Sequence, residues 1–101
     1  RPMFESSTWS FGKIKSGETV HATYEFTNKG TKPFCVYKVD INACKWSHSA
    51  IPVAAPGETV SFRVHLDTTG MPKGEALAIV TLTTNSPLRP IVNLFITGWI
   101  E

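Results

Sequence analysis

The string Gly-Glu-Thr-Val occurs twice, at 17–20 and 57–60, and each copy opens a run in which apolar and polar residues alternate. The first run sets Val20, Ala22, Tyr24 and Phe26 against His21, Thr23, Glu25 and Thr27. The second sets Val60, Phe62, Val64 and Leu66 against Thr59, Ser61, Arg63 and His65. Successive side chains of a strand point to opposite faces, so each run predicts a β-strand with one buried and one wetted side. Ser16-Gly17 and Pro56-Gly57 mark tight turns just ahead of the two strands, because Gly reaches the φ values such turns need and Pro fixes its own.

Four further segments carry strand signals: 9–14, 34–42, 75–84 and 91–100. Between them lie clusters of Gly, Asn and Pro, at 28–33, 69–74 and 85–90, that let the chain reverse. No segment repeats apolar residues three and four apart over three turns, so no helix is expected. Short strands about ten residues apart predict an all-β, seven-stranded immunoglobulin-like Greek-key β-sandwich. In that topology the second and fifth strands are sheet neighbours, which suits two similar strands. The 101 residues make one domain, 1–101, with a single core.

Charge excludes some functions. Ten Lys and Arg against eight Asp and Glu give a net charge of +2, and the basic residues are scattered along the chain. Nucleic-acid binding needs a dense basic stripe and is not expected. No apolar stretch approaches the roughly 20 residues of a membrane helix. No signal-peptide pattern opens the chain, and Arg1-Pro2 stands so close to the first strand signal that a trimmed or mature fragment is expected. Residues 36–41 read as one extended strand, which would hold the Cα atoms of Cys35 and Cys44 roughly 25 to 30 Å apart at about 3.3 Å per residue. A disulfide needs them within ~7 Å, so two free thiols are expected.

Candidate functional residues fall in two places. The longest irregular stretch, 43–55, carries Cys44, Lys45, Trp46 and His48, and loops on rigid β scaffolds often carry function. The alternative there is structural, with Trp46, Ile51 and Val53 folded over an open end of the sandwich. Cys44 and His48 lack a third residue at the spacing of a triad or zinc set, so neither catalysis nor a metal site is expected, and no cofactor. His21 and His65 fall on outer strand faces where they could meet and hold an adventitious metal, but ordinary exposed positions are the expectation. Glu25 and Arg63 share those faces and can pair. The second place is the last two strands. If Ala76, Ala78, Val80, Leu82, Val92, Leu94, Ile96 and Ile100 point inward, then Leu77, Ile79, Phe95 and Trp99 share the outer face, with Tyr37 of the third strand extending the patch. So greasy an outer face predicts a contact surface, unless Met3-Phe4 or the long loop covers it.

Nearly the whole chain resembles a bacterial family of immunoglobulin-like domains of unknown function, on the strings at 11–20, 24–30, 56–58, 67–70, 84–86 and 96–98. The resemblance implies an architecture related to major sperm protein, Hydin-type and pilus-chaperone sandwiches, most of which bind other proteins. It also implies export to the bacterial cell envelope, as a periplasmic, secreted or outer-membrane-anchored protein, often a lipoprotein. Family members usually carry Ser-Cys-Gly-Cys-Thr where this chain has Ala43-Cys44-Lys45-Trp46-Ser47, so the second cysteine position is Trp46. The expected role is therefore not enzymatic: a protein-binding or domain-packing module, whose partner is another protein or a neighbouring domain. The alternative is a carbohydrate-binding module in which Trp46 or Trp99 stacks on a sugar ring and Lys45, His48 or Asn93 supplies hydrogen bonds.

Overall fold

The computed structural model describes residues 2–4 and 6–101, with backbone alone at Pro2 and Met3. Its strands are β1 (Pro2–Phe4), β2 (Thr8–Ile14), β3 (Thr19–Asn28), β4 (Val36–Ile41), β5 (Trp46–His48), β6 (Thr59–Asp67), β7 (Gly74–Thr84) and β8 (Ile91–Ile100). They form two four-stranded sheets, ordered β1-β3-β6-β5 and β2-β8-β7-β4. With β1 and β2 taken as two halves of a first strand that changes layer, this is the expected seven-stranded Greek-key sandwich.

The period-two pattern explains the core. Of the inward positions read from the alternation, all are buried except Val60 and Ala76, which sit near strand ends and are half-buried. Removing such side chains from water supplies the main stabilising term, at about 25 cal/mol per Å² of apolar surface. Phe26 is the hub of the aromatic packing, with ring centroids of Phe4 and Phe34 at 5.1 and 5.2 Å. Tyr24 crosses the layers, and its hydroxyl donates to the Phe95 carbonyl at 2.7 Å. Burial pushes that hydroxyl well above the usual tyrosine range.

The repeated string turns out to be one turn used twice. Gly17 and Gly57 have φ of 93° and 82°, which suits only glycine without strain. The Glu after each folds back: Glu18 N–H donates to the Lys15 carbonyl while its carboxylate accepts the Lys15 N–H, and Glu58 does the same with Ala55. The strands that follow, β3 and β6, pair antiparallel from Thr19↔Asp67 to Thr27↔Thr59. Each turn therefore meets the far end of the other strand, where a fully buried polar residue receives it. Gly17 N–H donates to the Thr68 hydroxyl, and Gly57 N–H to the Asn28 carbonyl. Asn28 binds further, its amide donating to the carbonyls of Lys32 and Ala54.

Three expectations need correction. The stretch 43–55 is not all irregular, because β5 pairs with β6 through Trp46↔Leu66 and His48↔Val64. Trp46 and Ile51 pack against the core as the structural alternative held, but Val53 is 55% exposed. The third strand starts at Val36, with Phe34 tied instead to Ala54 by an isolated bridge. Both cysteines are free, Cys35 half-buried and Cys44 exposed.

Candidate functional site

The outer face of β7 and β8 follows from their register. Ile79 lies directly opposite Phe95, Leu77 opposite Thr97 and Glu75 opposite Trp99. Side chains opposite and diagonal on one sheet face touch, so Ile79, Phe95, Leu77 and Trp99 form one zigzag. Leu77 and Trp99 are 54% and 47% exposed, and Ile79 and Phe95 half-buried.

The zigzag has a polar border. At one end the Thr81 hydroxyl donates to Asn93 Oδ1 across the two strands. Along one flank β2 runs parallel to β8 and sets Thr8, Ser10 and Lys13 beside Phe95, Thr97 and Trp99. Along the other flank β4 ends at Ile41, and Asn42 finishes the ladder: its N–H donates to the Ile79 carbonyl and its Oδ1 accepts the Ile79 N–H. Beyond that point β7 has no neighbouring strand on this side among the described residues. An apolar centre inside a polar rim is the anatomy of a protein contact surface.

Two glycines shape the core side of the same strands and their border with β2. At Gly12, φ 73°, β2 shifts register by a bulge, so that Phe11 and Ile14, three apart, both turn toward the core. The Phe11 ring then occupies the space over Gly98, where a Cβ would lie within 2.5 Å of three ring carbons. With Leu77, Thr97 and Trp99, these two glycines line a shallow groove of about 640 Å³. Sequence reading missed Gly98 as a determinant, since nothing local marks a glycine inside a strand as the seat of a ring from another.

Tyr37 does not join the patch. A bulge between Val36 and Lys38 sets it near Thr83 and Thr84, at the far end of β4 from Asn42 and Ile79. It is 70% exposed and lines, with His48 and Ile51, a small crevice at the sheet edge. Among the described residues nothing from the N-terminal segment covers the patch either: β1 pairs with β3 in the opposite sheet, and the Phe4 ring packs on Phe26. The side chain of Met3 lies outside the described residues. The long loop does not cover it either, because Trp46 and Ile51 turn to the core.

The loop candidates assemble no reactive centre. Cys44 precedes β5 and is exposed, whereas His48 ends β5 with Nδ1 2.6 Å from the Ser49 carbonyl. The Trp46 ring lies near-parallel to that of His48, centroids 6.4 Å apart. Lys45 lies near Asp67, whose carboxyl is held below the usual carboxylate range, chiefly by hydrogen bonds from Thr69 and also by Lys45. Among the described residues no three His, Cys, Asp or Glu side chains converge into a metal set. Glu25 and Arg63 stand diagonal, opposite Ser61 and Thr23.

A family model described as "Protein of unknown function (DUF1573)" matches residues 3–100. No curated protein matches significantly. Among solved structures, a protein of unknown function from Porphyromonas gingivalis W83 superposes with a TM-score of 0.77 at 18% identity, over 97% of this chain and 46% of that one. The ASH / PapD-like domain 7 of human CEP192 gives 0.71 at 12%, covering 99% and 84%. The periplasmic chaperone SfaE gives 0.60 at 13%, covering 100% and 57%. The chain thus spans about half the length of the Porphyromonas and chaperone structures, and at these identities the likeness shows the PapD-like sandwich fold.

Proposed function

We propose that this chain, which belongs to the DUF1573 family of proteins of unknown function, is a non-catalytic protein-binding or domain-packing module of the bacterial cell envelope. The observation that carries the reading is the bordered apolar face of Leu77, Ile79, Phe95 and Trp99, which among the described residues neither the N-terminal segment nor the long loop covers. Burying that face against a partner surface releases the water held over it, at about 25 cal/mol per Å² of apolar area. The aromatic residues are its anchors, and Thr8, Ser10, Lys13 and Glu75 supply a rim that fixes orientation without dominating the affinity. The envelope setting draws support from the bacterial family resemblance and from a periplasmic chaperone among proteins of the same fold.

Photo-crosslinking residues placed at Leu77, Trp99 or Thr23 of the full-length protein, in its own cells, test this. Adducts to another polypeptide, or to another domain of the same one, are expected from 77 and 99 and not from Thr23 on the opposite sheet. Equal labelling from all three positions, or none from 77 and 99, would refute it.

A further inference from the structure

The outer face of the other sheet holds a pair of imidazoles that the contact surface does not use. His21 and His65 are directly opposite in the β3–β6 register, and their Nδ1 atoms stand 2.7 Å apart. The ladder bonds explain the closeness. Asn28 N–H donates to Glu58 and Thr68 N–H to Glu18, so even-numbered residues of β3 sit at hydrogen-bonded pairs and His21 at the alternate kind, where Cα atoms approach to about 4.5 Å. His65 is half-buried and its ring meets that of His21 edge-on, centroids 4.9 Å apart. The backbones that carry the two rings are held by a nine-pair ladder.

We propose that His21 and His65 chelate one borderline divalent transition ion, of the Zn²⁺ and Cu²⁺ class, through their two Nδ1 atoms. Two imidazole nitrogens bound to one such ion at about 2.0–2.1 Å stand about 2.8–3.4 Å apart, for angles from square-planar to tetrahedral. The pair therefore needs to open by about 0.1 Å for a square-planar ion and about 0.7 Å for a tetrahedral one, the rings turning so that both lone pairs meet it. In the hydrogen-bonded pair one ring carries its proton on Nδ1 and donates it to the lone pair of the other. Metal capture puts both neutral rings in the Nε2–H form: the shared proton leaves Nδ1, one from water returns at Nε2, and no net proton is released. Two lone pairs then face the ion, and water fills its remaining positions. A shallow depression bordered by Thr19, Ser47, His65 and Asp67 gives that water room. Around the pair, Asp67 and Glu25 favour a cation, whereas Lys45 and Arg63 oppose it.

Zinc titration of the untagged protein in a Cys44→Ser background, followed by calorimetry and by long-range ¹H–¹⁵N spectra of the imidazoles, is the test. One Zn²⁺ per chain is expected, with both rings moving to the Nε2–H form. H21Q and H65Q should each weaken binding by about tenfold or more, and H48Q should not. Circular dichroism of the two variants checks that the sheet is intact. Affinity unchanged in H21Q and H65Q, or a dissociation constant no tighter than about 1 mM in the parent protein, overturns the site.

Discussion

Replacing Gly98 by alanine tests how β2 is seated against the core side of β8. The new Cβ would stand 2.3, 2.4 and 2.5 Å from three carbons of the Phe11 ring, whereas non-bonded carbons rest at about 3.5–4.0 Å. Gly98 has no positive φ, so its backbone accepts alanine and all the cost falls on the ring. Phe11 must retreat by about 1.2 Å, which lifts it from its seat on β8 and strains the bulge at Gly12. Overpacking of this size costs about 1–3 kcal/mol. Phe11→Ala alone removes a half-buried ring and costs about 2–3 kcal/mol. In the double variant the clash has no second body, so introducing Gly98→Ala into the Phe11→Ala protein should cost nothing, or stabilise slightly by restricting the unfolded chain. The expected coupling is thus about 1–3 kcal/mol of relief, read from urea unfolding of the four proteins by tryptophan fluorescence. If Gly98→Ala is neutral in the parent protein, or costs the same with and without the Phe11 ring, the packing argument is wrong.

Two further predictions concern particular groups. Tyr24→Phe leaves the Phe95 carbonyl without its inter-sheet donor and should lower stability by about 1–2 kcal/mol in denaturant titration. The folded Tyr24 hydroxyl is raised above its ordinary 10.0, so its stabilisation is whole below pH 10 and lost as pH rises further. Melting temperature should fall on alkalinisation in the parent, and the Phe variant should lose part of that slope. Asp67 has the opposite sign: its carboxyl is lowered by the Thr69 hydrogen bonds. Its contribution is therefore complete above the ordinary 3.8 and disappears as pH falls through the folded value. Asp67→Asn should therefore lower the melting temperature slightly at neutral pH and flatten the acid limb, its curve meeting that of the parent at low pH.

The alternation of β3, β6, β7 and β8 is legible because each strand has one face in the core, and a period of two then separates inside from outside residue by residue. The apolar outer face is legible by the same rule, through Leu77, Ile79, Phe95 and Trp99 standing at outward phases. Where a bulge adds a residue the rule slips, which is why Tyr37 reads as part of a patch it does not reach and why the three-residue step from Phe11 to Ile14 hides a shared face. β5 is hidden for another reason. Three residues are too few to show a period, and Trp46-Ser47-His48 acquire strand geometry from the β6 edge they bind rather than from their own preference. The meeting of His21 with His65 depends on register, which the two turns fix and composition does not record.

The chain crosses between layers before it has completed its first strand, and β2 then runs parallel to β8. Tension applied between the two ends would drag these neighbours past each other in opposite senses, lengthwise. Their cross-links would bear the load together, in shear, instead of parting one after another like a zip. Such a geometry suits a link that must stay closed while something tugs on it.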